Sequence, residues 1–232
     1  MKSKSENDKI INLVKLGKSG HLKDIQQGKI RFTKLTTYHN IESKNIEDKN
    51  EGLSLIEYPS EDKEYSIGHP SLEDGKLVRV ANSILSFKDF PDNNYFVFCM
   101  AYFTNADVDN KTIFDKRTYA EDKWTDVLYF FNPKKIMQRI AEKIQNKTSP
   151  RIGAIQYCDY SSSQYNLDVM SKSNEYEYQK EYRAAFIPTD DGDWQKQHLI
   201  IDIGNIESES IIVPKNDFLQ WICNEKKLIQ GF

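Results

Sequence analysis

Cysteine, histidine and long apolar runs are all scarce in this chain, and each scarcity excludes something. The 232 residues hold three cysteines, Cys99, Cys158 and Cys223. They are far apart, odd in number and form no Cys-x-x-Cys, so neither a disulfide framework nor a zinc ribbon is expected. Cys99 and Cys158 read as buried free thiols in a reducing, cytoplasmic compartment. The four histidines, His21, His39, His69 and His198, have no His or Cys partner at ligand spacing on one helix. No zinc or other metal site is therefore expected. No run approaches the roughly 20 apolar residues that span a bilayer, and Met1–Lys9 is polar rather than leader-like. Residues 1–8 are read as disordered.

Strong charge of one sign is also missing. The formal net charge is −3, which argues against bulk electrostatic binding of nucleic acid. Recognised nucleotide loops and nucleophile elbows are absent. Gly17-Lys18-Ser19-Gly20 has no glycine five residues before Gly17 and no expected strand ahead of it, so it reads as a helix stop. No Gly-x-Ser-x-Gly occurs.

What is present is a well-stocked core. Hydrophobic residues make up 38% and aromatics 12% of the chain, including 13 Tyr and 12 Phe. A folded domain follows. Lys9–Lys18, with Ile10, Ile11, Leu13, Val14 and Leu16, predicts a short amphipathic helix. His21–Gln27 predicts a helical turn closed by Gly28. Lys29–Thr33 alternates as a strand. Tyr95–Phe103 is a near-continuous apolar run that predicts a central strand. Asp126–Phe131 reads as a second buried strand. Asn132 as N-cap and Pro133 at the first turn open the clearest helix, Pro133–Gln145. Strands are expected at Ile152–Tyr157, Tyr182–Ile187, His198–Ile203 and Ser210–Val213, and a helix at Asn216–Lys227. Thr36–Gly52 and Asn105–Thr118 read as long polar loops, and residues 53–76 as an irregular insertion. Strict βα alternation is absent. The expectation is one α+β domain over 1–232, with a twisted, mostly antiparallel or mixed core sheet, few helices and long loops.

The chemistry-bearing stretch is Tyr178-Gln179-Lys180-Glu181-Tyr182-Arg183-Ala184-Ala185-Phe186. In a strand, residues two apart share a face, so Gln179, Glu181 and Arg183 would line one side. One reading is an edge strand with a solvated ion pair, which contributes about 0–1 kcal/mol. The other is a ligand site with Glu181 and Gln179 as its catalytic pair and Arg31, His39, Arg183 and His21 as ligand-binding groups. In a site of that kind, Glu181→Gln should leave melting nearly unaltered while ligand affinity falls.

Two resemblances bear on the choice. The segments "GKIRF…YHNIE…DKNEG" (His21–Gly52) and "YQKEYRAAF…HLIIDIGNI" (Tyr178–Ile206), with "VFCM" at 97–100, resemble an uncharacterised family of bacterial and phage proteins. That likeness implies a role in phage–bacterium conflict, as defence effector or phage counter-defence. Gln179-Lys180-Glu181 is also similar to the late Gln-x-Glu element of toxin-type ADP-ribosyltransferases. Arg31 or His21 would stand for the early basic residue, and Ser83 and Ser86 or Thr104 for the middle element. This second resemblance implies NAD as cofactor, Glu181 stabilising an oxocarbenium-like state, Gln179 orienting the acceptor and Arg31 holding a diphosphate oxygen. The alternative partner is a host or phage protein, masked by a non-enzymatic inhibitor through the acidic loops Glu42–Glu51 and Glu57–Asp74.

Overall fold

The computed structural model of the chain describes residues 10–40, 55–58, 65–68, 77–80, 85–87, 94–109, 115, 117 and 124–224. In chain order these form β1 (Ile10–Gly17), α1 (Ser19–Gln26), β2 (Lys29–Lys34), a 3-10 turn (Leu35–Asn40), β3 (Leu55–Glu57), β4 (Tyr65–Gly68), β5 (Leu77–Val80), β6 (Leu85–Phe87), β7 (Phe96–Thr104) and α2 (Asn105–Asp109). Then come β8 (Asp126–Phe130), α3 (Pro133–Ile144), β9 (Thr148–Ala154), β10 (Gln156–Cys158), β11 (Gln164–Tyr165), β12 (Ser171–Ser173), a 3-10 turn (Asn174–Gln179), β13 (Glu181–Ile187), β14 (His198–Asp202), β15 (Ser210–Pro214) and α4 (Lys215–Asn224). The architecture is α+β, built on an eight-stranded sheet whose pairs are all antiparallel.

The long apolar run forms the central strand of this sheet. Along β7, Phe96, Phe98 and Met100 point to one face, with Ala184 and Phe186 of β13 beside them. Phe186 meets Phe32 edge-on at 5.0 Å between ring centroids and stacks on Phe96 at 6.3 Å. Leu22 and Ile25 of α1 and Ile136, Ile140 and Ile144 of α3 close that face. The α3 start follows its sequence signature, since Asn132 Oδ1 accepts from Lys135 N at 3.0 Å. On the opposite face, Val97 of β7 and Ala185 and Ile187 of β13 pack with Leu35, Tyr95 and Val169. The centre of the sheet, β7 with β13, is thus buried on both sides.

One edge of β7 is occupied by β13 over its first six residues, Phe96–Ala101 against Phe186–Glu181. Two strands share the other edge. β1 pairs with β7 at Ala101–Thr104 and β2 pairs with it at Phe96 and Val97. After Val14, β1 turns away to β8, while β2 runs on to β14. The sheet therefore forks beside Phe98, Cys99 and Met100.

Several local expectations are corrected. Within the stretch Lys9–Lys18 read as a helix, Ile10–Gly17 is strand β1, and Gly17-Lys18-Ser19-Gly20 carries the chain from that strand into α1 rather than stopping a helix. Its inner position buries Leu13 on one face and Asn12 and Val14 on the other, which erases the alternation that marks a half-exposed strand. The Gly28 expectation holds in detail. Gly28 has φ +91°, and a Cβ there would lie 2.3 Å from the Gly204 carbonyl oxygen. Ile152–Tyr157 is broken at Ile155 into β9 and β10, which belong to different sheets. β3 and β4 fall inside the stretch read as irregular. Residues 1–8 and 41–52 lie outside the described residues.

Candidate functional site

Beside the fork, on the face away from α1 and α3, lies a buried ionic cluster. Glu181 is the first residue of β13 and Arg183 the third, so both point the same way. Glu181 is 6% exposed and Arg183 1%. The guanidinium holds Glu181 Oε1 through Nε and Nη2, each at 2.6 Å, and its Nη1 donates to the Val169 carbonyl at 2.6 Å. Lys172, the middle residue of β12 and 3% exposed, brings its ammonium to 3.4 Å from Glu181 Oε2 and 2.8 Å from Gln179 Oε1. It also lies 5.0 Å from the Tyr176 ring centroid. The Tyr157 hydroxyl accepts from the Glu181 N–H at 2.8 Å.

Gln179 reaches this cluster by a route other than strand alternation. It ends the 3-10 turn Asn174–Gln179, and Lys180 then takes a left-handed conformation, φ 43° and ψ 55°. β13 starts only at Glu181. Gln179, Glu181 and Arg183 are thus not one row of a strand, and Lys172 is what joins Gln179 to Glu181. Lys180 turns outward to pair with the Asp107 carboxylate, which also accepts from Thr104 N and Oγ1 at 2.8 and 2.9 Å.

The fork supplies a further base. The Tyr102 N–H bonds the Lys180 carbonyl, so the even residues of β7 direct their main chain toward β13. Cys99 accordingly directs its carbonyl into the fork, where Lys15 Nζ donates to it at 2.5 Å. The Lys15 ammonium sits 5.2 Å from the Phe98 ring centroid. The Cys99 side chain points to the other side of the strand and bonds Glu181.

The electrostatics follow from this packing. Burial acts to raise the Glu181 carboxyl, but the charges of Arg183 and Lys172 and the bonds from Cys99 and Arg183 outweigh it and hold the group down at about 2. Glu181 is ionised at neutral pH. Burial and the Glu181 charge push Tyr157 up, so it stays a neutral phenol. Burial lowers the Lys15 amine, opposed by Cys99 and Glu181.

Of the residues singled out from sequence, the structure brings together Glu181, Arg183 and Gln179. Arg31 is exposed on β2, with Nη2 3.4 Å from His198 Nδ1, and is not among the contacts of the cluster. His21 is exposed on α1. His39 lies in the 3-10 turn after β2, and its side chain is outside the described residues. Cys99 and Cys158 are in no disulfide and are half-buried, where full burial was expected. Lys172, Lys15 and Tyr157 were missed. Among the described residues no group of three His, Cys, Asp or Glu side chains could hold a metal, and no helix is long and apolar enough to cross a membrane.

No family model, curated protein or solved structure matches the chain. The two resemblances rest on their motifs alone.

Proposed function

We propose that the chain binds a nucleotide-type ligand at the fork of the sheet, with the basic groups Lys15, Lys172 and Arg183 drawing its phosphate. The observation that carries this reading is their gathering around Glu181 and Cys99 where, among the described residues, one edge of the central strand has no strand neighbour between β1 and β2. Ammonium and guanidinium groups in a sheltered site are strong partners for phosphate oxygens, since charge-assisted bonds are about twice as strong as neutral ones. A pocket for such a ligand needs a few convergent polar groups among apolar walls, and Phe98 and the Tyr176 ring stand beside the two lysines.

The same contacts weigh against the ADP-ribosyltransferase-like variant of this reading. There the nicotinamide–ribose bond of NAD would break, Glu181 would face the cationic ribose, and an acceptor would attack C1 and release its proton. A carboxylate that already faces Arg183 and Lys172 has little negative potential to spare for that cation. Binding is therefore the primary proposal and transfer the secondary one. Gln179 and Glu181 are its groups. The phage–bacterium setting rests on the resemblance, and thiols at Cys99 and Cys158 that form no disulfide fit a cytoplasmic site of action.

Calorimetry against NAD, ADP-ribose and cyclic nucleotides tests both. A binding isotherm that weakens about tenfold in Lys15→Met supports the first, because removing one charge-assisted bond removes about 1.5–3 kcal/mol. Silence across the panel ends it. Release of nicotinamide from NAD, abolished in Glu181→Gln, would favour the second.

A further inference from the structure

β14 is an edge strand without the usual protection. Among the described residues it pairs with β2 alone, in unbroken register from His198–Thr33 to Asp202–Lys29. Natural sheet edges are commonly blunted by proline, lysine or a bulge. β15, at the far edge of the same path, ends on Pro214. β14 carries none of these devices, and at its centre stands Ile200, 60% exposed, the most exposed large hydrophobic among the described residues.

The main chain of β14 is set for another strand. The Ile203 N–H bonds the Gly28 carbonyl, and the Gln197 carbonyl accepts from the Lys34 N–H. The odd residues 197 to 203 thus direct their polar main-chain groups to β2. In an antiparallel ladder this direction alternates. His198, Ile200 and Asp202 therefore direct theirs outward. Leu199 and Ile201 point their side chains into the core.

We infer that β14 pairs antiparallel with β14 of a second copy of this chain, about a two-fold axis at Ile200. The sequence His198-Leu199-Ile200-Ile201-Asp202 is self-complementary in that register. The axis puts Ile200 opposite the partner's Ile200, covering the exposed side chain. It puts His198 opposite the partner's Asp202, and Asp202 opposite the partner's His198, so both polar positions meet their complement. These are also the residues whose main-chain groups face outward, so the apolar centre, the flanking polar pairs and the hydrogen-bonding parity all select one register. Arg31 Nη2 lies 3.4 Å from His198 Nδ1. With Nδ1 accepting from Arg31, His198 has its Nε2–H to donate to the partner's Asp202. A shift of one residue would lose all three matches at once.

Sedimentation equilibrium of the full chain over a wide concentration range provides the first measurement, with a monomer–dimer equilibrium expected. Ile200→Pro removes only an outward N–H that β2 does not use, and it should leave a monomer. Ile200→Lys serves if the proline variant fails to fold, judged by its melting curve. His198→Asp places like charges opposite each other twice in the dimer and should weaken it roughly tenfold. His198→Asp combined with Asp202→His should restore it. Register is read separately by mild oxidation. Ile200→Cys should form a covalent dimer, since hydrogen-bonded cross-strand partners lie about 5.5 Å apart between Cα atoms, within disulfide reach. Asp202→Cys and the wild type, with its own cysteines, should not. A chain that stays monomeric at every concentration overturns the inference. So does a dimer indifferent to Ile200→Lys and to the His198–Asp202 exchange, because it would be formed through another surface or with another register.

Discussion

Glu181→Gln is the perturbation that most sharply separates a buried ionic cluster from a solvated pair. Sequence reasoning for a site residue predicts little change in melting. Burial reverses that expectation. The carboxylate, Arg183 and Lys172 are all nearly inaccessible to water, and removing the charge of Glu181 leaves two cations facing a neutral amide. Breaking a buried pair by removing one partner costs about 3–5 kcal/mol. The depressed carboxyl leads to the same size. Holding it at about 2 rather than 4.5 corresponds to about 3 kcal/mol in favour of the ionised form. The sign is that of a depressed acid. Its stabilisation is complete above the unfolded-state value near 4.5 and is lost as pH falls from there toward about 2. Urea unfolding of wild type and variant at a series of pH values between 7 and 2.5 measures both effects. At pH 7 the variant should be less stable by about 3 kcal/mol, and the gap should narrow steadily below pH 4.5. A loss under 1 kcal/mol at pH 7, or parallel acid limbs in the two proteins, would refute the reasoning.

Three other changes probe the frame that carries the cluster. Phe186→Ala empties a fully buried ring site between Phe32 and Phe96 and should cost about 3–5 kcal/mol in denaturant unfolding. Gly28→Ala places a Cβ against the Gly204 carbonyl at a positive φ. Both chain segments must then shift, so a loss of more than about 1 kcal/mol and a lowered Tm are expected. Asn132→Ala removes the side-chain acceptor at the start of α3 and should cost about 1 kcal/mol, with Asn132→Ser recovering most of it.

Sequence reasoning succeeded where one local signal had one meaning. The Asn132-Pro133 start of α3, the Gly28 turn and the long run of β7 each state their structure in adjacent residues. β1 failed because a short strand buried on both faces has apolar residues at helix-like intervals. Its β-branched residues, Ile10, Ile11 and Val14, were the signal that could have redirected the reading. Gln179 failed for a different reason. The alternation through Gln179, Glu181 and Arg183 is real on paper, but Lys180 adopts a left-handed conformation that no local sequence feature requires. Lys172 was invisible because Ser171-Lys172-Ser173 has the composition of a solvated loop and is buried at all three positions.

What ties these misses together is that the cluster is assembled by topology. Lys15 arrives from β1 because that strand leaves β7 after Val14, and its ammonium takes the main-chain acceptor that a departing strand would otherwise have covered. Lys172 arrives from a two-stranded parallel pair, β10 with β12, laid over the opposite face. Each is polar in a segment whose neighbours suggest another environment, and neither position is informative without the other members. The ionic cluster thus depends on the fork in the sheet. A change that closes the fork, drawing β1 and β2 together along β7, would compete with Lys15 for the Cys99 carbonyl. Lys15→Met removes the amine while keeping its apolar stem over Phe98, and it separates the two roles of that residue. If Lys15 serves the frame, the variant loses stability with or without ligand. If it serves a ligand, stability holds near the wild-type value while affinity for a phosphate-bearing nucleotide falls.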